Sequence, residues 1–226
     1  MPINVITCDE WGAAAATAAF GTQAAQGIVV HNTESHPRYR VSDPGSPDDL
    51  ADTIAVARRI QADQMSPDRG FSDTGQHFTI GKGGLILEGR HGSYENAQQG
   101  MVVRGAHVNP TGAPRPYNAT WFGIELEGYY VQHPDLNDDS WERQFVDEDG
   151  NVPDSWLIVP DAQWESLINL CAYLSHWGNF QSLSILAHNQ ANPSEGTDCP
   201  GIIRGRMPGL IDAVHDRKVA LFGQNG

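Results

Sequence analysis

Gly27-Ile28-Val29-Val30-His31 is a short apolar run closed by an imidazole, and Ser184-Ile185-Leu186-Ala187-His188 repeats the pattern near the other end of the chain. Runs of this length suit buried strands and are too short for helices. Gln76 to Ile80 and Leu85 to Glu88 flank Gly81-Lys82-Gly83-Gly84, a connection suited to a hairpin. Trp121 to Glu127 reads as a further strand, alternating apolar and acidic side chains in its second half.

Helical periodicity fills the gaps. Ser46-Pro47-Asp48-Asp49 has a capping serine and a proline at the first helical position, and Leu50, Ile54, Ala57 and Ile60 form the expected buried face, ending before Ser66-Pro67. Pro160-Asp161 opens a second helix with Trp164, Leu167, Ile168, Cys171 and Leu174 as its stripe and Gly178 as its stop, which makes Cys171 a core residue. Pro208 is expected to begin a last helix carrying Leu210, Ile211, Val214 and Leu221. Strands mixed with helices able to cover a sheet predict one α/β domain over 1–226, with a mixed central β-sheet flanked by helices and both strand-end histidines at one sheet edge. Residues 132 to 158 are polar, acidic and proline-flanked, and read as an inserted loop.

Composition narrows the function. The 226 residues carry a formal charge of −14, which argues against nucleic acid or an anionic membrane as partner. Lysine occurs only at Lys82 and Lys218, so a lysine-dependent mechanism has few candidates. The first residues lack a basic segment followed by an apolar one, so no secretory signal is expected and the chain is read as made in the cytoplasm. Cys8, Cys171 and Cys199 are odd in number and widely spaced, which does not read as a disulfide framework.

His31, His188 and Cys199 are the candidate metal ligands. Imidazole and thiolate suit zinc, and a catalytic zinc keeps three protein ligands and one open position. The loop from His188 to Cys199 can fold back so that both reach one ion, with Pro200-Gly201 turning the chain away. Spacing alone favours the plainer alternative of capped strand ends and a buried thiol.

A resemblance shifts that balance. His31-Asn32-Thr33 after an apolar strand, His188 after another and Asp198-Cys199-Pro200-Gly201 resemble the type 2 N-acetylmuramoyl-L-alanine amidases and the peptidoglycan recognition proteins. Glu10-Trp11-Gly12-Ala13, Arg58-Arg59-Ile60-Gln61, Arg69-Gly70-Phe71-Ser72-Asp73, His77-Phe78-Thr79-Ile80, Glu88-Gly89-Arg90, Gly105-Ala106-His107, Asn118 and Gly123-Ile124-Glu125 continue the likeness in order over about 7–215. The resemblance implies one Zn²⁺ held by His31, His188 and Cys199 at the floor of a surface groove. It also implies hydrolysis of the amide between N-acetylmuramic acid and L-alanine in peptidoglycan or muropeptides. Such a protein acts at the cell wall, reached by lysis, injection or another leaderless route.

Glu125 occupies a position similar to the catalytic glutamate of the bacterial wall-recycling amidases, with Glu127 as its rival on the same strand face and a solvated role expected for Glu127. Gln76 stands where many relatives have tyrosine. Thr197 stands where others have lysine, and its hydroxyl is a candidate to steady the oxyanion. Gln76, His77, Arg90, His107 and Asn118 are placed along the substrate groove by the same likeness. His107 is also the alternative ligand, and His77 equally suits the core or a place behind the metal. Two rivals stay open: a non-catalytic peptidoglycan-binding module, and a cytoplasmic enzyme recycling soluble muropeptides. Recognition proteins typically lose the cysteine and recycling enzymes typically use aspartate there, so Cys199 weighs against both.

Overall fold

Successive side chains of a strand point to opposite faces, and here the two faces have different tasks. Ile28 and Val30, Phe78 and Ile80, Phe122, Ile124 and Leu126, and Ile185 and Ala187 all enter one large hydrophobic cluster. The residues between them, among them His31, His77, Thr79, Gly123 and Glu125, belong to the other face. In the sequence only the second half of Trp121 to Glu127 shows this division as alternation.

The computed structural model describes residues 3–33, 49–128, 130 and 158–223. Its elements run α1 (Cys8–Trp11), β1 (Thr22–Ala24), β2 (Gly27–Asn32), α2 (Asp49–Gln64), β3 (Phe78–Ile80), β4 (Ile86–Glu88), α3 (Ser93–Gln98) and β5 (Met101–Val103). They continue with α4 (Tyr117–Thr120), β6 (Trp121–Leu126), α5 (Asp161–Trp177), β7 (Ile185–Ala187), α6 (His188–Ala191) and α7 (Ile203–Phe222). The main sheet has the order β4-β3-β6-β2-β7. The β3–β4 pair is antiparallel, while β3–β6, β2–β6 and β2–β7 are parallel, so the sheet is mixed as expected. A separate two-stranded ribbon pairs β1 with β5.

Helices α5 and α7 cover the core face. Leu167, Ile168, Cys171 and Leu174 from α5 join the cluster, with Ile203, Met207, Leu210 and Val214 from α7. Cys171 is fully buried, and burial pushes its thiol pKa upward. Gly178 ends α5 as the sequence implied. Pro208, expected to open α7, instead lies inside it, because the helix starts at Ile203 to bury Ile203 and Met207.

The other sheet face is flanked by α2. Its buried face is Thr53, Val56, Ala57 and Gln61, whereas Leu50, expected to be buried, is 45% exposed. Polar residues decide this rotation. Gln61 Nε2 donates to Ala14 O and to Asp73 Oδ1, and Gln61 Oε1 accepts from Ala14 N–H. Thr53 fits against Gly81, where a Cβ would come within 2.4 Å of the threonine hydroxyl. The expected cap at Ser46-Pro47 and residues 132–157 of the insertion lie outside the described residues. Among the described residues no helix is long and apolar enough to cross a membrane.

Leu167→Ala should cost about 2–5 kcal/mol by chemical denaturation, the usual range for emptying a packed leucine site. Leu50→Ala should stay within about 0.5 kcal/mol, as exposed positions do. Equal losses in both variants would contradict the observed face of α2.

Candidate metal centre and groove

The parallel register sets His31 on β2 opposite Glu125 on β6, and Glu125 opposite Thr79 on β3. His31, Glu125 and Thr79 therefore form a row on one sheet face across adjacent strands spaced about 4.8 Å apart, and the first two line the groove. His188 is the first residue of α6, directly after β7, rather than the last residue of the strand. The chain then passes through a tight turn over Pro193–Glu195 and returns to the sheet edge at Cys199. Gly201, at φ +67°, carries the chain away after it.

Among the described residues, one group of three metal-binding side chains comes together: His31, His188 and Cys199, with donor atoms within 4.8 Å of one another. Ligands of a single tetrahedral zinc sit about 2.0–2.3 Å from the ion, so the three would move inward only slightly to hold it. His31 Nδ1 is 3.9 Å from Cys199 Sγ, and the rings of His31 and His188 have centroids 4.3 Å apart. Burial, then the nearby His188, His107 and His77, holds the His31 pKa well below the usual imidazole value, so the ring is neutral as a ligand must be. His188 is also lowered by burial, against an opposing pull from Glu195. His188 Nδ1 is buried and makes no hydrogen bond, as fits a nitrogen kept for a metal. The Asn32 amide N–H donates to Cys199 Sγ at 3.4 Å. Cys8, by contrast, bonds the carbonyls of Glu88 and Gly89 and is structural.

A hollow of about 740 Å³ opens above this cluster, lined by Asn32, Gln76, Glu125 and Thr197 together with residues of α2. A second hollow of about 680 Å³ adjoins it through Phe71, Ala106, His107 and Glu195, and carries Arg104 and Arg115. Thr197 Oγ1 accepts from Cys199 N–H at 3.1 Å, which leaves its own proton free to be donated.

The other sequence candidates divide. Gln76 is buried beneath the groove, its Nε2 on Thr79 Oγ1 and its Oε1 without a hydrogen-bond partner. His107 lies behind His31, with its Nδ1 3.0 Å from His31 Nε2, which takes it out of the ligand set. His77 is fully buried, donating to Val103 O and accepting from Gly123 N–H, and so joins strands instead of facing substrate. Arg90 is buried and donates to the carbonyls of Thr74 and Arg104. Asn118 accepts the amides of His107 and Val108 and donates to Val108 O, pinning the loop that carries His107. Arg90 and Asn118 thus build the walls rather than contact a ligand through these atoms.

Glu127 is not a solvated residue on the face of Glu125. Strand β6 ends at Leu126, and Glu127 is fully buried. Its carbonyl accepts from Tyr130 Oη and Gln163 Nε2 beside the core. Two residues escaped the sequence reading. Asn32 is buried with neither atom of its side-chain amide hydrogen-bonded, and Glu195 Oε2 lies 3.1 Å from His188 Nε2. Only the general need of a metal-bound histidine for a carboxylate or carbonyl behind it hinted at Glu195.

The sequence profile of N-acetylmuramoyl-L-alanine amidase matches residues 21–202. No curated protein matches the chain. Among solved structures, Drosophila PGRP-LB is 22% identical, covering 92% of each chain, with a TM-score of 0.55. Drosophila peptidoglycan recognition protein SD is 20% identical, covering 88% of this chain and 89% of its own, with a TM-score of 0.55. Peptidoglycan recognition protein LE, solved in complex with tracheal cytotoxin, is 18% identical over 87% of each chain, with a TM-score of 0.57. At these identities the likeness is one of fold.

Metal analysis of the purified chain should give about one zinc per molecule, the expectation for a three-ligand site. Cys199→Ala should lose it while keeping the far-ultraviolet circular dichroism of the parent. Full zinc retention in that variant would remove Cys199 from the ligand set.

Proposed function

The chain belongs to the N-acetylmuramoyl-L-alanine amidase family, and from that premise we propose that it is a zinc-dependent amidase cutting the bond between N-acetylmuramic acid and L-alanine in peptidoglycan. The observation that carries this reading is the convergence of His31, His188 and Cys199 in one groove with Glu125 on the adjoining strand. When bound by these three side chains, zinc supplies Lewis acidity toward the scissile carbonyl and water with a pKa lowered to about 7.

The chain's own residues account for the rest. Glu125 sits one strand from His31 and lines the groove, where its carboxylate can take a proton from the attacking water and return it to the leaving amine. Its Oε2 is shielded from solvent. Thr197 can donate its hydroxyl proton toward the developing oxyanion. Asn32 offers a donor and an acceptor, the complement of a peptide group in the stem. Arg104 and Arg115 in the adjoining hollow suit the carboxylates of a stem peptide, despite the net charge of −14.

Recognition without cleavage is the second reading, favoured by structural neighbours such as the LE protein in complex with tracheal cytotoxin. Mass spectrometry of products from defined muropeptides decides between the two. Release of intact stem peptide, stopped by a chelator and restored by zinc, supports the amidase. Saturable binding with no product at any zinc concentration supports the recognition module.

Within the amidase reading, Glu125→Gln should keep its zinc and lose turnover by about 10²-fold or more, the scale of a positioned acid/base. Near-parental turnover would move the proton-transfer role away from Glu125.

A further inference from the structure

Two residues outside the ligand set touch the two imidazoles on the sides away from the cluster. Behind His31, its Nε2 is 3.0 Å from His107 Nδ1, and His107 Nε2 is 3.1 Å from Trp121 O. Behind His188, its Nε2 is 3.1 Å from Glu195 Oε2. Each line of contacts ends on an oxygen that carries no proton, one a peptide carbonyl and the other a carboxylate.

Those ends dictate where every proton sits. Trp121 O only accepts, so His107 carries its proton on Nε2 and presents a lone pair at Nδ1. That lone pair accepts from His31, so His31 also carries its proton on Nε2 and keeps Nδ1 bare. Glu195 fixes His188 the same way in a single step, and His188 Nδ1 is the atom left buried without a hydrogen bond. A neutral imidazole must present its bare nitrogen to bind a metal, and the group behind it selects which one.

The backbone is cut to fit the longer of the two lines. A Cβ on Gly123 would lie 2.5 Å from His107 Cγ, and one on Gly105 would lie 2.8 Å from His77 Cε1 and 3.0 Å from His107 Cδ2. The rings of His107 and His77 meet edge to face at 5.4 Å. Asn118 then holds the amides of His107 and Val108. Ring, strand and loop allow His107 little freedom to rotate away from His31.

We infer that His107 and Glu195 are positioning residues that preset both ligand imidazoles in the Nε2–H form before any metal arrives. His107 acts on His31 by relaying the Trp121 carbonyl, and Glu195 acts on His188 directly. The inference rests on the ligand assignment proposed above but not on the protein being a hydrolase. The two halves are independent, since nothing links Glu195 to His31 or Trp121 to His188 within these lines.

Long-range ¹H–¹⁵N spectra of histidine in the full, metal-free chain report each tautomer, and zinc titration against a competing chelator reports affinity. The parent should show His31, His107 and His188 all as Nε2–H. Glu195→Ala should leave His31 unchanged, convert His188 to a mixture and weaken zinc binding by about 10–100-fold, the usual cost of losing such a partner. Glu195→Gln, whose amide oxygen still accepts, should recover part of that loss. Gly123→Ala should disturb His31 and leave His188 alone. A general loosening of the fold would move both rings in every variant and overturn the assignment. So would a parent His188 protonated on Nδ1, or unchanged tautomer and zinc affinity in Glu195→Ala. That last arm stands even if Gly123→Ala does not fold, and none of these readings uses activity, so a failed hydrolase assay leaves the inference separately testable.

Discussion

In the parallel ladder between β2 and β6, His31 stands opposite Glu125, and every other feature of the groove is arranged around that pairing. A slip of β2 by one residue would turn His31 into the core and put Val30 in the groove, and a slip of β6 would do the same to Glu125 and Ile124. The core face resists such a slip, because Ile28, Val30, Phe122, Ile124 and Leu126 are all fully buried against α5 and α7. Chemistry on one face is therefore held in register by apolar packing on the other. The second histidine enters through β7, which pairs with β2 on the opposite side from β6. One strand, β2, thus sets both spacings in the row: from His31 to the Glu125 carboxylate on β6, and to His188 just beyond β7.

Much of this was legible in advance, for a local reason. Apolar runs that end in a polar residue mark strands, so the strands leading to His31 and His188 were readable from the sequence, while Glu125 stood out through family likeness and not through strand period. The helices were harder where polar residues are buried. On α2 the apolar pattern pointed to Leu50, but Thr53 and Gln61 chose the buried face through contacts with Gly81, Ala14 and Asp73, far away in sequence. On α7 a proline signal for a helix start was outweighed by the burial of Ile203 and Met207.

The site residues separate along the same line. Likeness to a family gives positions, not directions: it set His77, Arg90 and Asn118 along the groove, and the structure adds that their side chains bond to backbone there. Glu195 and Asn32 were missed because their roles depend on partners that sequence neighbours do not supply. Glu195 meets His188 only after the chain has turned through Pro193–Glu195, and Asn32 is marked by bonds that it does not make.

Those unmade bonds help separate scaffold from function. A buried polar group without a partner costs about 1–3 kcal/mol, so a fold tolerates it where something outside the chain completes it or where geometry forbids better. Trp121 Nε1 and Ser93 Oγ are orphaned singly, away from the metal cluster, and carry no such reading. Asn32 with both amide atoms, Gln76 Oε1 and His188 Nδ1 instead border one hollow. Asn118, Arg90 and His77 nearby are bonded to backbone through their side chains. Side chains that shape the groove are thus satisfied within the chain, while several that face into it are left incomplete. Such a floor is unfavourable for the empty protein and favourable for a ligand that brings a cation and a peptide group together. On the proposed function, this is the physical sense in which stability is given up for binding.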